Sequence, residues 1–369
     1  MSSRRSFLKN TILVGTAIST VPSFGFNIIK GIAPDDSQII GHGDYKYKIH
    51  RDWAKMSVSQ NPIFNCHEMQ MDSKGRLLML GDHTANNMFV FDKSGKLLDA
   101  WGTRYPGGHG LTLHDEGGED VLYICDSGWG QDKGGVWFEQ AGTVHKTKID
   151  GKLIFTFPDP RTIGVYTHDM KYMPTETCVG PNGDVYIADG YGSNYVLQFS
   201  HKGEFIRKFG GMKNENKEHN LNQTHGVAID YRDKNNPVLV CTSRNEHSFK
   251  WYTLDGKYIK TVHMPGAFVC RPVLDDDNIY AGVCWSTTRE GKNWVRDTGF
   301  VTILDGNNKV VSNPGGEAPV YKDGVLQQMY QAPKPTFNHG HDVFVDEDKN
   351  LYICQWNAHR TPPIKLERV

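Results

Sequence analysis

Four histidines occupy matching places in the sequence, each at the start of a short apolar stretch that ends in an acidic residue. His67 opens HEMQMD, His109 opens HGLTLHD, His225 opens HGVAID and His341 opens HDVFVD. A neutral imidazole is a common zinc ligand, and three imidazoles around one ion leave a fourth position open for water or substrate. If the fold brings the histidines together, the chemistry that this pattern indicates is that of a catalytic metal site.

The histidines belong to a sequence repeat. Short segments with period-2 alternation of apolar and polar residues are separated by turns rich in Gly, Asn and Asp. A repeat of roughly 40 residues with this pattern is typical of the blades of a β-propeller. Six units open near residues 67, 109, 175, 225, 271 and 341. The sequence therefore predicts an all-β, six-bladed β-propeller.

The propeller needs a closing strand, and the strand YKYKIH at 45–50 has no partner within its own unit. We predict that it completes the last blade beside LYICQW and PIKLERV near the C-terminus. The predicted propeller domain covers residues 36–369.

The first strand of each propeller blade lines the central channel, so equivalent residues of different blades converge on one axis. His109, His225 and His341 open units two, four and six, which are alternate positions on a six-fold ring. We therefore predict that these three imidazoles hold a zinc ion. His67, in unit one, breaks the alternation. It is predicted to bind the substrate; the alternatives are that it points into the channel without reaching the metal, or that it is a further ligand.

The N-terminus carries a different signal. Arg4 and Arg5 precede Phe7, Leu8 and the apolar run TILVGTAISTVPSFGF. This pattern predicts a twin-arginine signal peptide over residues 1–35, export by the twin-arginine translocase and a periplasmic or extracellular location. No other segment is long and apolar enough to predict a membrane span in the mature protein. The net charge of −1 argues against nucleic acid as a partner.

Two stretches resemble the peptidyl-α-hydroxyglycine α-amidating lyases, which are six-bladed propellers of the NHL-repeat class. They are PTETCVGPNGDVYIADGYGSNYVLQFSHKGEFIRKFGG (174–211) and THGVAIDY (224–231). Two further stretches resemble the family more weakly, GGHGLTL (107–113) and HGHDVFVDEDKNLYI (339–353). The resemblance implies one zinc bound through His109, His225 and His341. It also implies Tyr191 and Arg244 as catalytic residues.

The resemblance further implies a structural calcium ion beneath the zinc, bound at Met69, Leu111 and Asp342. An arginine of the family on blade one is missing here, where the chain reads LMLGDH. Asp82 and His83 stand near its place and are predicted, with His67, to bind the substrate. A less cationic site favours a less anionic ligand than a hydroxyglycine peptide.

These residues lead to one function and two alternatives. The main prediction is a zinc-dependent lyase that acts at a hydroxyl-bearing carbon of a small-molecule, peptide or sugar-derived substrate. One alternative is a carbohydrate lyase or zinc hydrolase on the same scaffold. The other is a non-catalytic propeller that binds a ligand or a protein partner.

Overall fold

The computed structural model describes residues 38–369. The predicted twin-arginine segment lies outside the described residues, so the signal peptide and the exported location stay predictions. Between residues 38 and 369, no helix is long and apolar enough to cross a membrane.

Residues 38–369 form eight antiparallel sheets, of which six are the blades of a β-propeller and two are short hairpins. The first three blades take up successive segments of the sequence, each beginning with its innermost strand. Blade one contains β3 (Cys66–Met71), β4 (Leu77–His83), β5 (Asn86–Phe91) and β6 (Leu97–Trp101). Blade two contains β7 (Gly108–Asp115), β8 (Asp120–Asp126), β11 (Thr143–Lys148) and β12 (Leu153–Thr156), with the hairpin β9 (Trp129–Gln131) and β10 (Trp137–Glu139) inserted. Blade three contains β13 (Glu176–Val179), β14 (Val185–Ala188), β15 (Tyr195–Phe199) and β16 (Phe205–Gly210).

Blades four and five follow the same order, with two short 3₁₀ turns at Lys217–His219 and Arg244–Glu246. Blade four contains β17 (Val227–Asp230), β18 (Val238–Ser243), β19 (Ser248–Tyr252) and β20 (Tyr258–His263). Blade five contains β21 (Ala267–Val269), β22 (Val273–Asp275), β23 (Asn278–Ser286), β24 (Phe300–Leu304) and β25 (Val310–Ser312). A hairpin of β26 (Tyr321–Lys322) and β27 (Val325–Leu326) follows.

Blade six joins the two ends of the described chain, as the sequence predicts. Its C-terminal strands are β28 (Gly340–Val345), β29 (Leu351–Gln355) and β30 (Ile364–Arg368). Its N-terminal strands are β1 (Ile39–His42) and β2 (Tyr45–His50). β2 pairs with β30 in the register Tyr47 to Arg368, and β1 lies outside β2. Because the ring is closed by hydrogen bonds between distant parts of the sequence, the blades are held around one channel.

The apolar core is divided among the interfaces between consecutive blades. For example, Leu80 of blade one packs with Leu111 and Ile124 of blade two, and all three are fully buried. Tyr352 of blade six packs in the same way with Met79 of blade one. Each sheet therefore buries both faces against its neighbours, which fixes the angle of each blade and the place where its innermost strand meets the axis.

Glycine permits the close approach of blades two and three beside His109. A Cβ atom at Gly110 would lie 2.5 Å from the carbonyl oxygen of Thr175 and 2.9 Å from the Cα of Glu176. No larger residue fits there without moving the backbone. The same carbonyl of Thr175 accepts a hydrogen bond from His109, so this contact also sets the direction of that imidazole.

Candidate metal centre

Four histidine rings meet in the channel, at the mouths of blades one, two, four and six. The ring centroids of His109 and His225 are 4.6 Å apart, those of His109 and His341 are 4.7 Å apart, and those of His225 and His341 are 4.9 Å apart. The ring of His67 lies 5.0 Å from that of His109 and 4.8 Å from that of His341. All four residues are buried. The predicted convergence on the axis is therefore present, and His67 takes part in it.

Three of these histidines have ligand nitrogens within 4.8 Å of one another: His67, His109 and His341. The second ring nitrogen of each is held by a fixed partner. Nδ1 of His109 donates to the carbonyl of Thr175 at 2.8 Å, and Nδ1 of His341 donates to the carbonyl of His67 at 3.0 Å. Nε2 of His67 lies 3.1 Å from a carboxylate oxygen of Asp82. Such partners are typical of metal-binding histidines because they fix the tautomer and the ring direction.

His225 differs from these three histidines. Its Nδ1 is buried and has no hydrogen-bond partner among the described residues, and its Nε2 lies 3.1 Å from Oη of Tyr191. It is absent from the group whose nitrogens lie within 4.8 Å. The predicted set of ligands contains His225 and omits His67, whereas this geometry favours His67. His109 and His341 belong to both sets.

Burial favours the neutral, metal-binding form of three of the four histidines. Burial lowers the pKa of His109, His225 and His341 well below the usual value, and the charges of neighbouring histidines and of Arg244 lower it further. A neutral imidazole presents a lone pair, and a buried one gains a great deal from a cation that it can bind. Nε2 of His341 is buried without a hydrogen-bond partner among residues 38–369, so it is suited to a divalent ion. Nδ1 of His67 is likewise buried and unpartnered among these residues.

Tyr191 and Arg244, to which the resemblance assigns catalytic roles, lie beside the histidines. Oη of Tyr191 lies 3.1 Å from Nε2 of both His109 and His225. Burial raises the pKa of Tyr191 to about 12, although the charge of Arg244 opposes the shift. The Arg244 side chain is buried, and its Nη2 donates to Sγ of Cys270 at 2.9 Å. Burial alone would lower the pKa of Arg244, but attraction to Cys270 and Tyr191 outweighs burial and keeps it charged.

Asp82 and His83, both predicted to bind substrate, have different surroundings. Asp82 accepts hydrogen bonds from the backbone and side-chain nitrogens of Asn65 as well as facing His67. The ring of His83 packs at a tilt against that of Phe64 with centroids 4.3 Å apart, and its Nδ1 accepts a hydrogen bond from the backbone of Ala85. Asp82 is thus part of the histidine cluster, whereas the observed contacts of His83 are structural.

Comparison with known proteins adds a sequence relative and several structural neighbours. No protein-family model matches the chain. A probable peptidyl-α-hydroxyglycine α-amidating lyase of Caenorhabditis elegans is 26% identical over 231 residues, which cover 61% of this chain and 55% of the relative. The match therefore spans little more than half of the relative's length. The chain is a six-bladed β-propeller that resembles the amidating lyases.

Solved structures support the fold. A gluconolactonase from Xanthomonas campestris matches with a TM-score of 0.54 and 12% identity, covering 88% of this chain and 90% of the other. Virginiamycin B lyase from Staphylococcus aureus matches with a TM-score of 0.50 and 13% identity, covering 83% of this chain and 95% of the other. At these identities the likeness concerns the fold alone.

The positions that the amidating-lyase resemblance implies for calcium do not fit that ion. The carboxylate of Asp342 forms two hydrogen bonds with the guanidinium of Arg271, at 3.0 and 2.9 Å. The carbonyl of Leu111 accepts a hydrogen bond from Nε2 of Gln70, and the backbone N–H of Met69 donates to Asp342. Calcium needs six to eight oxygen ligands, and here the carboxylate already faces a fixed cation.

The cation beside Asp342 is the guanidinium of Arg271, a residue that the sequence analysis did not assign to the site. Its Nε lies 3.8 Å from Glu68 and 3.6 Å from Glu176, in addition to the contact with Asp342. The four side chains come from blades one, three, five and six and are all buried. A signal existed in the sequence, because Arg271 opens unit five at the place where other units have a histidine.

Proposed function

We propose that this protein is a metal-dependent lyase that breaks a bond at a hydroxyl-bearing carbon, and that the ion is zinc. The observation that carries the proposal is the group of three buried histidines whose ligand nitrogens lie within 4.8 Å of one another. Neutral imidazoles buried in a channel need a cation or hydrogen-bond donors to satisfy their lone pairs. The likeness to an amidating lyase supports a lyase over other zinc chemistry.

In this proposal His67, His109 and His341 hold the ion. A bound zinc ion would polarise the substrate hydroxyl and make it more acidic. All three ring nitrogens that face away from the proposed ion have partners, which are Asp82 and two backbone carbonyls. The cluster is therefore preorganised, and little side-chain entropy remains to be lost on binding.

Tyr191 is the residue that we propose exchanges a proton with the substrate hydroxyl. Its Oη lies between the imidazoles of His109 and His225, and the adjacent charge of Arg244 favours the tyrosinate. When Oη accepts the proton, the carbon–oxygen bond becomes a carbonyl, the bond to the leaving nitrogen or oxygen breaks, and the leaving group takes up a proton. Arg244 acts as a positioning residue, since its charge lies beside Tyr191 and its Nη2 donates to Sγ of Cys270.

The proposed chemistry is tested with α-hydroxyhippurate, a small compound whose hydroxyl-bearing carbon carries an amide leaving group. We expect zinc-loaded protein to release glyoxylate and benzamide, and Tyr191→Phe to lower the rate by about 10²–10⁴-fold. Zinc content measured on the same samples shows that the variant keeps its ion. Glyoxylate at the uncatalysed rate from a zinc-loaded wild type would contradict the proposal.

Asp82 provides a test of His67 as a ligand. We expect Asp82→Asn to weaken zinc affinity by about 10–100-fold, because the carboxylate that orients His67 is lost. Competition with a chromophoric chelator measures the affinity. The matched control is Asp126→Asn, because Asp126 bonds the backbone N–H groups of Gly107 and Gly128 at the equivalent position of blade two. Equal zinc affinities of the two variants would exclude the proposed role of His67.

A further inference from the structure

A row of aromatic side chains extends from Tyr191 across the mouth of the channel. Trp129 lies 5.8 Å from Tyr191 and 5.0 Å from Trp137, measured between ring centroids. Trp356 continues the row, 6.1 Å from Trp137 and 5.4 Å from Trp285. The rings come from blades three, two, six and five, so the row is built by the fold and is not a local run of sequence. We call it the aromatic arc.

The arc is exposed where it approaches the proposed catalytic tyrosine. The side chains of Trp129 and Trp137 are each 40% exposed, although their rings contact one another at a tilt of 37°. They belong to the hairpin of β9 and β10, which is inserted between β8 and β11 of blade two. A contiguous aromatic surface of this kind on a folded domain marks a place where a ligand covers it.

A cleft of about 350 Å³ lies at the Tyr191 end of the arc, and its remaining wall is rich in side-chain amides. Trp129 and Tyr191 line it together with Asn194, Asn222, Gln223 and Asn245. Oε1 of Gln223 is buried and has no hydrogen-bond partner among residues 38–369. The backbone of Gln223 is fixed, because its N–H donates to Oδ1 of Asn194 and its carbonyl accepts from the N–H of Arg244. An amide oxygen without a partner beside the cleft, on a fixed backbone, is suited to accept a hydrogen bond from a ligand hydroxyl.

The charges at the cleft favour an uncharged ligand. Lys171 and Glu139 both line it, but Nζ of Lys171 lies 2.8 Å from the carboxylate of Glu139, so the two charges offset one another. Side-chain amides offer donors and acceptors together, as vicinal hydroxyl groups require. Tryptophan faces match the C–H faces of a pyranose ring. A carboxylate or phosphate ligand would instead need an unpaired cation at the cleft.

From these observations we propose that the aromatic arc and the amide cleft bind a neutral, pyranose-based oligosaccharide. A chain of sugar rings laid along the arc reaches Tyr191 and the histidine cluster at its end. As far as cleavage is concerned, this inference rests on the proposed function and narrows the substrate to carbohydrate-derived molecules. Binding itself depends on the arc and the cleft and not on the proposed function.

The probes are neutral β-linked hexasaccharides of glucose, mannose, galactose and xylose, and oligogalacturonate is the anionic comparison. Each is titrated into the protein, and binding is measured as a change in tryptophan fluorescence. We expect at least one neutral hexasaccharide to bind. Trp129→Ala and Trp137→Ala should each weaken its binding about tenfold or more. The control Tyr231→Ala removes an aromatic residue, 45% exposed, that follows β17 at the end opposite His225, and should leave binding unchanged.

Three results would overturn the inference: no binding of any neutral hexasaccharide, binding that both tryptophan variants retain, or binding of oligogalacturonate alone. His109→Ala separates the inference from the proposed function, because it should still bind the sugar. Sugar binding by the wild type together with a failure to turn over α-hydroxyhippurate would refute the amide-cleaving chemistry of the proposed function and leave the carbohydrate site standing.

Discussion

Replacing Arg271 with methionine is expected to lower the free energy of unfolding by about 3–5 kcal/mol, because it leaves three buried carboxylates without their cation. Burial already raises the pKa of Asp342 to about 6 and that of Glu68 well above its usual value, although Arg271 opposes both shifts. Chemical denaturation of the wild type and the variant measures the difference. Methionine keeps much of the side-chain volume, so loss of charge dominates the effect.

Arg289→Met is the matched control for Arg271→Met. Arg289 also contacts a carboxylate, that of Glu317, but its side chain is 64% exposed. The exposed pair is expected to contribute about 1 kcal/mol or less. Adding Asp342→Asn to Arg271→Met should recover part of the lost stability, since one of the unpaired buried charges disappears. Equal stability of Arg271→Met and Arg289→Met would show that the buried cluster is not held by this cation.

His109→Ala is expected to abolish metal binding and to lower the lyase rate by at least about 10³-fold. His109 touches the rings of His67, His225 and His341, and its Nε2 faces Tyr191. Its removal therefore takes away a ligand and a neighbour of the proposed proton-transfer group together. Zinc content and α-hydroxyhippurate turnover are measured on the same preparation, with circular dichroism to show that the fold is kept.

The control for His109→Ala is His114→Ala. His114 lies on the same strand, β7, but at its far end from the histidine cluster. The His114→Ala variant should keep both the zinc content and the lyase activity of the wild type. A folded His109→Ala protein with wild-type zinc content and rate would refute the assigned role of this histidine.

The sequence could predict the ring and its closure, because both depend on patterns along the chain. The segment YKYKIH alternates like a strand yet lacks a partner nearby, and it does pair with the C-terminal strand β30. Convergence of the histidines was predictable for the same reason, since equivalent repeat positions share the channel axis. His109, His225 and His341 are indeed close to one another.

The sequence could not decide which nitrogens are available to an ion. That depends on partners supplied by other strands, such as the carbonyl of Thr175 for His109 and Asp82 for His67. No pattern within one repeat contains this information. The place of Arg271 was likewise hidden, because its partners Glu68, Glu176 and Asp342 are spread over three other blades. The family resemblance implied a calcium ion at Asp342, where the guanidinium of Arg271 binds the carboxylate instead.

Metal analysis of the purified, folded protein after saturation with zinc and removal of the excess tests the central claim most directly. The wild type and the single variants His67→Ala, His109→Ala, His225→Ala and His341→Ala are compared. We predict about one zinc ion per wild-type chain, lost in the variants at 67, 109 and 341 and retained in His225→Ala. A wild type that retains no zinc, or His109→Ala and His341→Ala proteins that retain it fully, would contradict the account.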